Sequence, residues 1–473
     1  MKILLTGATG YIGRRLLTVL LQEGHQVTCC VRDEARFDVG GIPANQLRIV
    51  EVDFLNASTL QAISPDIDAA YYLIHSMSAS TTSFDDLEQQ AAHHFVLGMQ
   101  KTNVKQVIYL SGIANDTHLS KHLASRKQVE DILAGGSYHL TTLRAGIIVG
   151  SGSASFEIIR DLVEKLPVMI APKWLSTRTQ PIAIRDVIGF LKGVLLNPNS
   201  YDQRFDIGGP DVLTYKDMLL IFARVRGLRR TILTVPVMTP RLSSYWLYFV
   251  TSTAYRLAVN LVNSMRVETV CSDHRLSDLL AVQPMTYQEA VQLAFNKIAS
   301  HDIVSSWKDA QSSNVLGRGI SKLIQVPEYG CLNDRRILTI LDPQAVISRI
   351  WSIGGKNGWY YGNWLWALRG FLDKLVGGVG LRRGRRSDTH LVAGDALDFW
   401  RVLYASPEEK RLLLYAEMKL PGEAWLEFKI SDNQLQQTAT FRPLGLFGRL
   451  YWWILLPFHG PIFGGMIRRI ANG

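Results

Sequence analysis

Charge and cysteine are both scarce in this 473-residue sequence. Charged residues make up 19 % and hydrophobic ones 47 %, a balance too apolar for a disordered chain. No low-complexity tract or internal repeat is evident, which leaves a packed protein of two or three domains. The four cysteines, Cys29, Cys30, Cys271 and Cys331, show no metal-ligand spacing; they are read as free thiols in a reducing compartment, with no metal site. The N-terminus runs straight into an apolar strand, without the basic, apolar and cleavage regions of a signal peptide, so a cytoplasmic location is expected. Uninterrupted apolar runs are missing too. Leu242 to Val262 is broken by Arg256 and Leu450 to Ile467 by Pro457 and His459, so neither is expected to cross a bilayer as a clean ~20-residue helix.

What is present is distributed unevenly. Lys plus Arg outnumber Asp plus Glu by 51 to 41, and +8 of the resulting +10 falls after residue 310. Eight of the eleven tryptophans, from Trp351 to Trp453, fall there as well. The chain is therefore divided into residues 1–300, a mixed polar linker at 301–334, and a basic, tryptophan-rich remainder at 335–473.

Residues 1–200 alternate β-rich runs with helical-period segments, the pattern of right-handed βαβ units and a parallel sheet covered on both faces. Strands are expected at Lys2–Leu5, Gln26–Val31, Leu47–Val52, Ala69–Ile74, Gln106–Leu110, Leu140–Leu143 and Gln180–Ile184. From Asp206 to about Ser300 the segments read as a mostly helical lobe. The fold class is thus α/β, a Rossmann-type doubly wound parallel sheet with a helical lobe. Beyond it, Leu412–Met418, Ala424–Ile430 and Gln436–Phe441 have the spacing of an antiparallel meander, which makes the C-terminal domain α+β. Its last segment, rich in glycine and carrying Pro457 and Pro461, is expected to be a helix broken near Pro457.

The run Met1 to Gly13 places Gly7, Gly10 and Gly13 between a strand and an amphipathic helix. Glycines there let the backbone approach a pyrophosphate, and the helix N-terminus offers unpaired N–H groups and a partial positive charge. The second strand of such a site ends in an acid when the cofactor is NAD. Here that place holds Val31, followed by Arg32, with Arg14 and Arg15 at the start of the first helix. The cations favour the 2′-phosphate of NADP over NAD, while Asp33 competes by binding a ribose hydroxyl or neutralising Arg32. Asp53, after the third strand, either reaches the adenine amino group or is a solvated strand-end acid.

These residues resemble the short-chain dehydrogenase/reductase superfamily in its extended and atypical, NmrA-like branch, over about residues 1–300. The motifs that carry the resemblance are Thr6-Gly-Ala-Thr-Gly-Tyr-Ile-Gly13, Asp53, Val107-Ile-Tyr-Leu-Ser111, Leu143-Arg144-Ala-Gly146 and the segment from Pro181 to Asp186. It implies NADP(H) held by Gly7, Thr9, Gly10, Tyr11, Ile12, Gly13, Arg32, Asp53, Phe54 and Arg126. Extended members carry Tyr, then Ser and Lys three and four places on, then an acid four further; the matching run is His122-Leu-Ala-Ser125-Arg126-Lys-Gln-Val-Glu130. Tyrosine has become histidine and lysine has become arginine. The catalytic candidates are therefore His122, Arg126 and Ser111, the neighbour of Gly112 at the family's serine position. His122 has the right unperturbed pKa for an acid, about 6.5, or is a surface histidine. Arg126 can hold a ribose but cannot titrate near neutral pH. The resemblance leaves two functions open, an atypical oxidoreductase or a non-catalytic NADPH-binding protein, for which the nucleotide-binding accessory subunit of respiratory complex I is the superfamily's precedent.

In the C-terminal third, Gly354 to Gly370 mixes glycines with large aromatics and leads to Arg382, Arg383, Arg385 and Arg386, but Asp388, Asp395 and Asp398 follow at once and no nucleic-acid module is recognised, so no nucleic-acid partner is expected. Together with Asp395–Arg401, Ala416–Phe428 and Phe441–Trp453 this region looks like the uncharacterised domain that follows a subset of atypical short-chain dehydrogenases. That domain is similar to the START-like, helix-grip fold, which implies an apolar small-molecule ligand; the alternative is a cavity filled by its own tryptophans. Leu450 to Ile467 suits either peripheral contact with the inner face of a membrane or an ordinary packed core helix.

Overall fold

The computed structural model describes residues 1–32, 34, 37, 45–74, 84–113, 121–151, 153–235, 259, 262–265, 267–299, 326, 331–355, 357–381, 390–431 and 433–473. These fall into two compact units, the first running through the residues up to 299 apart from Phe37 and the second from 326 onward. Most of the expected linker, including residues 301–325, lies outside the described residues, and its last three join the first strand of the second unit.

The first unit is built on a seven-stranded sheet of β1 (Lys2–Thr6), β2 (Gln26–Val31), β3 (Leu47–Glu51), β4 (Ala69–Tyr72), β5 (Gln106–Gly112), β6 (His139–Ala145) and β7 (Arg204–Ile207). The order is β7-β6-β5-β4-β1-β2-β3, and every pair is parallel. Helices α1 (Tyr11–Gln22) and α5 (Ile184–Gly193) pack together, as do α2 (Phe84–Met99) and α3 (Lys121–Leu133), so the sheet is wound on both faces. Double coverage explains why the adjacent Cys29 and Cys30 are both buried although they point to opposite sides.

One strand differs from expectation. Gln180–Ile184 does not enter the main sheet; only Ile182–Ala183 pairs, with Ile148–Val149, in a separate two-stranded ladder. The seventh strand is Arg204–Ile207, in register with Thr142–Ala145. The segment after Asp206 is correspondingly less helical than expected: beside α6 (Tyr215–Val225) and α7 (Tyr287–Ala299), Thr231–Val235 is a strand parallel to Val168–Pro172. A cluster of Phe156, Phe222, Met218 and Val291 joins α6 and α7 to α4 (Ala154–Lys165).

The second unit is a six-stranded antiparallel sheet: β8 (Leu332–Thr339), β9 (Ala396–Leu397), β10 (Trp400–Ser406), β11 (Arg411–Ala416), β12 (Gly422–Ser431) and β13 (Gln434–Pro443) in the order β8-β13-β12-β11-β10-β9. Two helices, α8 (Pro343–Trp351) and α9 (Asn363–Leu375), follow β8, and α10 (Gly445–Asn472) closes the chain. The helix expected to break near Pro457 is continuous over 28 residues, with Pro457 and Pro461 inside it. An interior proline costs about 3 kcal/mol or more; burial of Phe463, Met466, Ile467 and Ile470 one to three turns later offsets it. Between sheet and helix the space is filled by aromatic rings: Trp359 stacks on Trp366 at 5.1 Å, and Trp366 meets Phe399 and Phe463.

Candidate functional site

The site starts with how α1 begins and ends. Leu16, Leu17, Leu20 and Leu21 bury one face against the sheet, and Gly24, at φ +79°, ends the helix in a left-handed turn. At the other end the N-cap is Gly10, with no side-chain cap and no acid in the first turn. The first N–H groups of α1 thus open onto the rim of the sheet without a cap from the N-cap side chain.

Gly7 has φ +68°, and a Cβ there would stand 2.5 Å from the Leu73 carbonyl oxygen. A Cβ on Gly13 would stand 2.2 Å from the Gly7 oxygen. The Gly10 N–H donates to that same oxygen at 2.9 Å. The loop therefore lies flat against β4 and α1, a geometry that only glycine permits at positions 7 and 13. Thr6 locks the strand beneath it, its hydroxyl donating to the Tyr71 carbonyl and accepting from the Leu73 N–H, both at 3.0 Å.

Sheet register brings the other candidates to the same rim. Thr6 pairs with Cys30, Val31 with Glu51, Tyr72 with Tyr109, and Ser111 with Arg144. Gly7, Arg32, Asp53 and Ser111 consequently follow or end their strands on one edge. Arg32 is exposed, and Thr9 is exposed on the loop; Asp33 lies outside the described residues. The Asp53 carboxylate accepts from the Leu55 N–H at 3.1 Å, while its backbone N–H donates to the Thr59 hydroxyl at 3.0 Å, so a tight turn holds it in place. Phe54 turns its ring into the core against Phe95, leaving its backbone at the rim. Tyr11 and Ile12 form the first helical turn of α1. The Tyr11 ring lies under the Arg15 guanidinium, 4.0 Å from its centre, and burial pushes its phenol up to about 12.

Helix α3 carries the rest. Ser111 is buried at the end of β5. Arg126 shares a small recess with Tyr72, Ile74, Glu88 and Tyr109, and its Nε is buried with no hydrogen-bond partner among the described residues. The side chain of His122, in the first turn of α3, lies outside the described residues. One group here, Glu88, had no sequence signal of its own. Glu88 of α2 is buried and accepts from the Ser125 hydroxyl at 2.7 Å. Glu130 is buried and ion-paired with Arg144 at 3.0 Å and with Arg204. Glu130 therefore ties α3 to β6 and β7, a structural role for the acid of the family run. The arrangement fits a dinucleotide: a helix terminus without an N-cap side chain, a glycine cradle that a Cβ would fill, and, among the described residues, a buried guanidinium nitrogen without a hydrogen-bond partner at the far end of the rim.

Comparison with known proteins agrees with this geometry. Residues 7–152 match a family described as NAD(P)H-binding, and residues 331–466 match one described as a protein of unknown function, DUF2867. The NADH-ubiquinone oxidoreductase 40 kDa subunit of Neurospora crassa is 23 % identical over 49 % of this chain and 61 % of its own length. A divinyl chlorophyllide a 8-vinyl-reductase of Arabidopsis thaliana is 22 % identical over 50 % and 60 %. The chain thus spans about 60 % of the curated relatives it matches. Among solved structures, a nucleoside-diphosphate-sugar epimerase from Staphylococcus aureus is 17 % identical, with a TM-score of 0.49, over 62 % of this chain and 100 % of its own. The parallel sheet of the first unit fits a Rossmann-type fold, and residues 7–152 within it are similar to an NAD(P)H-binding family, in line with the glycine run.

Proposed function

We propose that the chain binds NADP(H) and acts as an atypical oxidoreductase on a hydrophobic small molecule. The observation that carries this reading is the cradle of Gly7, Gly10 and Gly13 over an uncapped helix terminus, with Arg32 one residue beyond β2. The first-turn N–H groups and the exposed Thr9 hydroxyl hold the pyrophosphate, Arg32 meets the 2′-phosphate, Asp53 and the Phe54 backbone flank the adenine, and Arg126 donates to the nicotinamide ribose. When bound, the nicotinamide supplies or accepts a hydride. Ser111 orients the substrate oxygen, and His122 is the one candidate of the family run able to deliver a proton near neutral pH.

For the second unit, the six-stranded antiparallel sheet with α10 laid against β13 and β8 supports a START-like, helix-grip form. Its interior is occupied by its own rings, so the apolar molecule is proposed to meet the unit's outer apolar surface.

NADPH is expected to bind more tightly than NADH. Arg32→Ala should cost roughly 1.5–3 kcal/mol for NADPH, the range for a hydrogen bond to a charged group, and little for NADH. Calorimetric titration reads both, and equal affinities in the unaltered protein would remove the NADP assignment.

A second reading, a non-catalytic NADPH-binding protein, is favoured by Arg126 standing where the family's lysine would lower the pKa of its acid. Arginine can hold a ribose, but it cannot itself exchange a proton near neutral pH. Arg126→Ala is accordingly expected to weaken NADPH binding by about tenfold, the loss of one net hydrogen bond from a charged donor, and to change turnover per bound nucleotide little. Fast carbonyl reduction that disappears in His122→Phe would decide for the enzyme; NADPH binding without turnover across a broad carbonyl and enone screen would decide for the second reading.

A further inference from the structure

We infer that the second unit docks onto an anionic lipid bilayer surface through α9 and the first half of α10. On α9, Trp364, Leu368, Phe371 and Leu375 recur at helical spacing and form one exposed stripe, with Trp364 69 % exposed. On α10, Phe447, Leu450, Ile454 and Phe458 form a second, joined by Trp453; Phe447 is 80 % and Trp453 62 % exposed. The opposite faces are fixed in the unit, through Trp366, Gly370 and Asp373 on α9 and Trp452 on α10. The two stripes are neighbours: Arg369 of α9 donates to the Tyr451 hydroxyl of α10 at 3.1 Å, between Leu368 and Leu372 on one helix and Leu450 and Ile454 on the other. Scattered single apolar side chains are ordinary on a protein surface, but a continuous face of this size marks an interaction site.

Charge selects the occupant. Helix α10 contains no Asp or Glu. The single acid of α9, Asp373, is fully buried and accepts from the backbone N–H groups of Gly380 and Lys419. Among the described residues, the charges beside the stripes are cationic: Lys374, Arg449 and Lys419. A symmetric dimer through this face would set cation against cation, because such a contact uses the same patch twice. An anionic bilayer instead takes the aliphatic side chains into its boundary, seats Trp364 and Trp453 at headgroup depth and meets the cations with phosphate. Although Phe447–Asn472 is long and apolar enough to cross a membrane by length and composition, Phe463, Met466, Ile467 and Ile470 belong to the unit's core. The helix lies on the surface and does not span it.

The test is sedimentation of the full-length protein with vesicles of phosphatidylcholine alone or mixed with phosphatidylglycerol. Pelleting is expected with the anionic vesicles only, and should fall severalfold as salt is raised from about 0.1 M to 1 M, where screening shortens from ~10 Å to 3 Å. Phe447→Gln/Trp453→Gln should reduce the bound fraction at least tenfold; Lys374→Glu/Arg449→Glu should weaken it about fivefold or more for each cation removed. Denaturant unfolding of the same samples followed by tryptophan fluorescence, which reports mainly on the tryptophan-rich second unit, shows that the variants are folded. Protein that stays in the supernatant at low salt, or pellets equally with both vesicle types, overturns the proposal. So does a dimer in sedimentation equilibrium that Phe447→Gln/Trp453→Gln dissociates, since a second copy would then cover the face. None of these readouts depends on turnover, so loss of the oxidoreductase reading would leave the docking surface standing.

Discussion

Gly13→Ala should reduce NADPH affinity by at least tenfold, and up to a hundredfold, while leaving a folded protein. The added methyl would stand 2.2 Å from the Gly7 oxygen, 2.8 Å from its carbon and 3.0 Å from the Ala8 Cα. All three are backbone atoms, so no rotamer change relieves the clash. Either α1 retreats from the loop or the loop lifts from β4, and both move the N–H groups away from the pyrophosphate. Overpacking of this kind typically costs 1–3 kcal/mol, which sets the expected range. Gly189→Ala is the matched control: it lies inside α5, and a Cβ there meets nothing within 4 Å. It should bind NADPH normally and melt at the same temperature or slightly higher, because alanine is favoured over glycine in a helix by roughly 0.5–1 kcal/mol. Unchanged calorimetric affinity in Gly13→Ala would show that the loop is not the pyrophosphate site.

Glu417→Ala is expected to destabilise the second unit by about 3–5 kcal/mol, the loss seen when one partner of a buried ion pair is removed. Arg401 and Glu417 have fully buried side chains. The guanidinium donates from Nε and Nη2 to the two carboxylate oxygens at 3.1 Å each, and from Nη1 to the Gly394 carbonyl at 2.6 Å. The pair fastens the loop before β9 to the end of β11, and the Glu417 N–H adds a bond to the Phe399 oxygen at 2.8 Å. Without the carboxylate the buried guanidinium loses the ion pair to Glu417. The double change Arg401→Met/Glu417→Leu removes both charges and should recover most of the loss. Denaturant unfolding followed by tryptophan fluorescence measures each variant; equal stability of Glu417→Ala and the parent would mean that water or another group already solvates Arg401.

Much of the first unit was legible in the sequence. Gln26–Val31 matches its strand to the residue, and the other strands of β1 to β6 agree within three residues at each end, because apolar β-rich runs bounded by turn residues are local signals. The glycine run was equally plain, since the loop's shape follows from what a side chain would strike within a few residues. From about 400 onward the meander was visible in its alternation for the same reason.

Long-range contact decided the rest. Arg204–Ile207 is four residues with no period of their own; it becomes the seventh strand because β6 offers a free edge, whereas Gln180–Ile184 has the β-like pattern and finds a different partner. Pro457 breaks a helix in isolation, but packing of the following turns against β8 and β13 keeps α10 whole. The buried pairing of Glu88 with Ser125 joins residues 37 apart, and Arg401 with Glu417 closes across a hairpin, so neither shows in a local pattern. Apolar spacing in α9 and α10 established only that each helix has two faces. Which side chains are core and which meet solvent depends on how many faces the unit can cover, and with Trp359, Trp366, Trp400 and Phe463 already filling the interior, the stripes from Trp364 to Leu375 and from Phe447 to Phe458 are left outside.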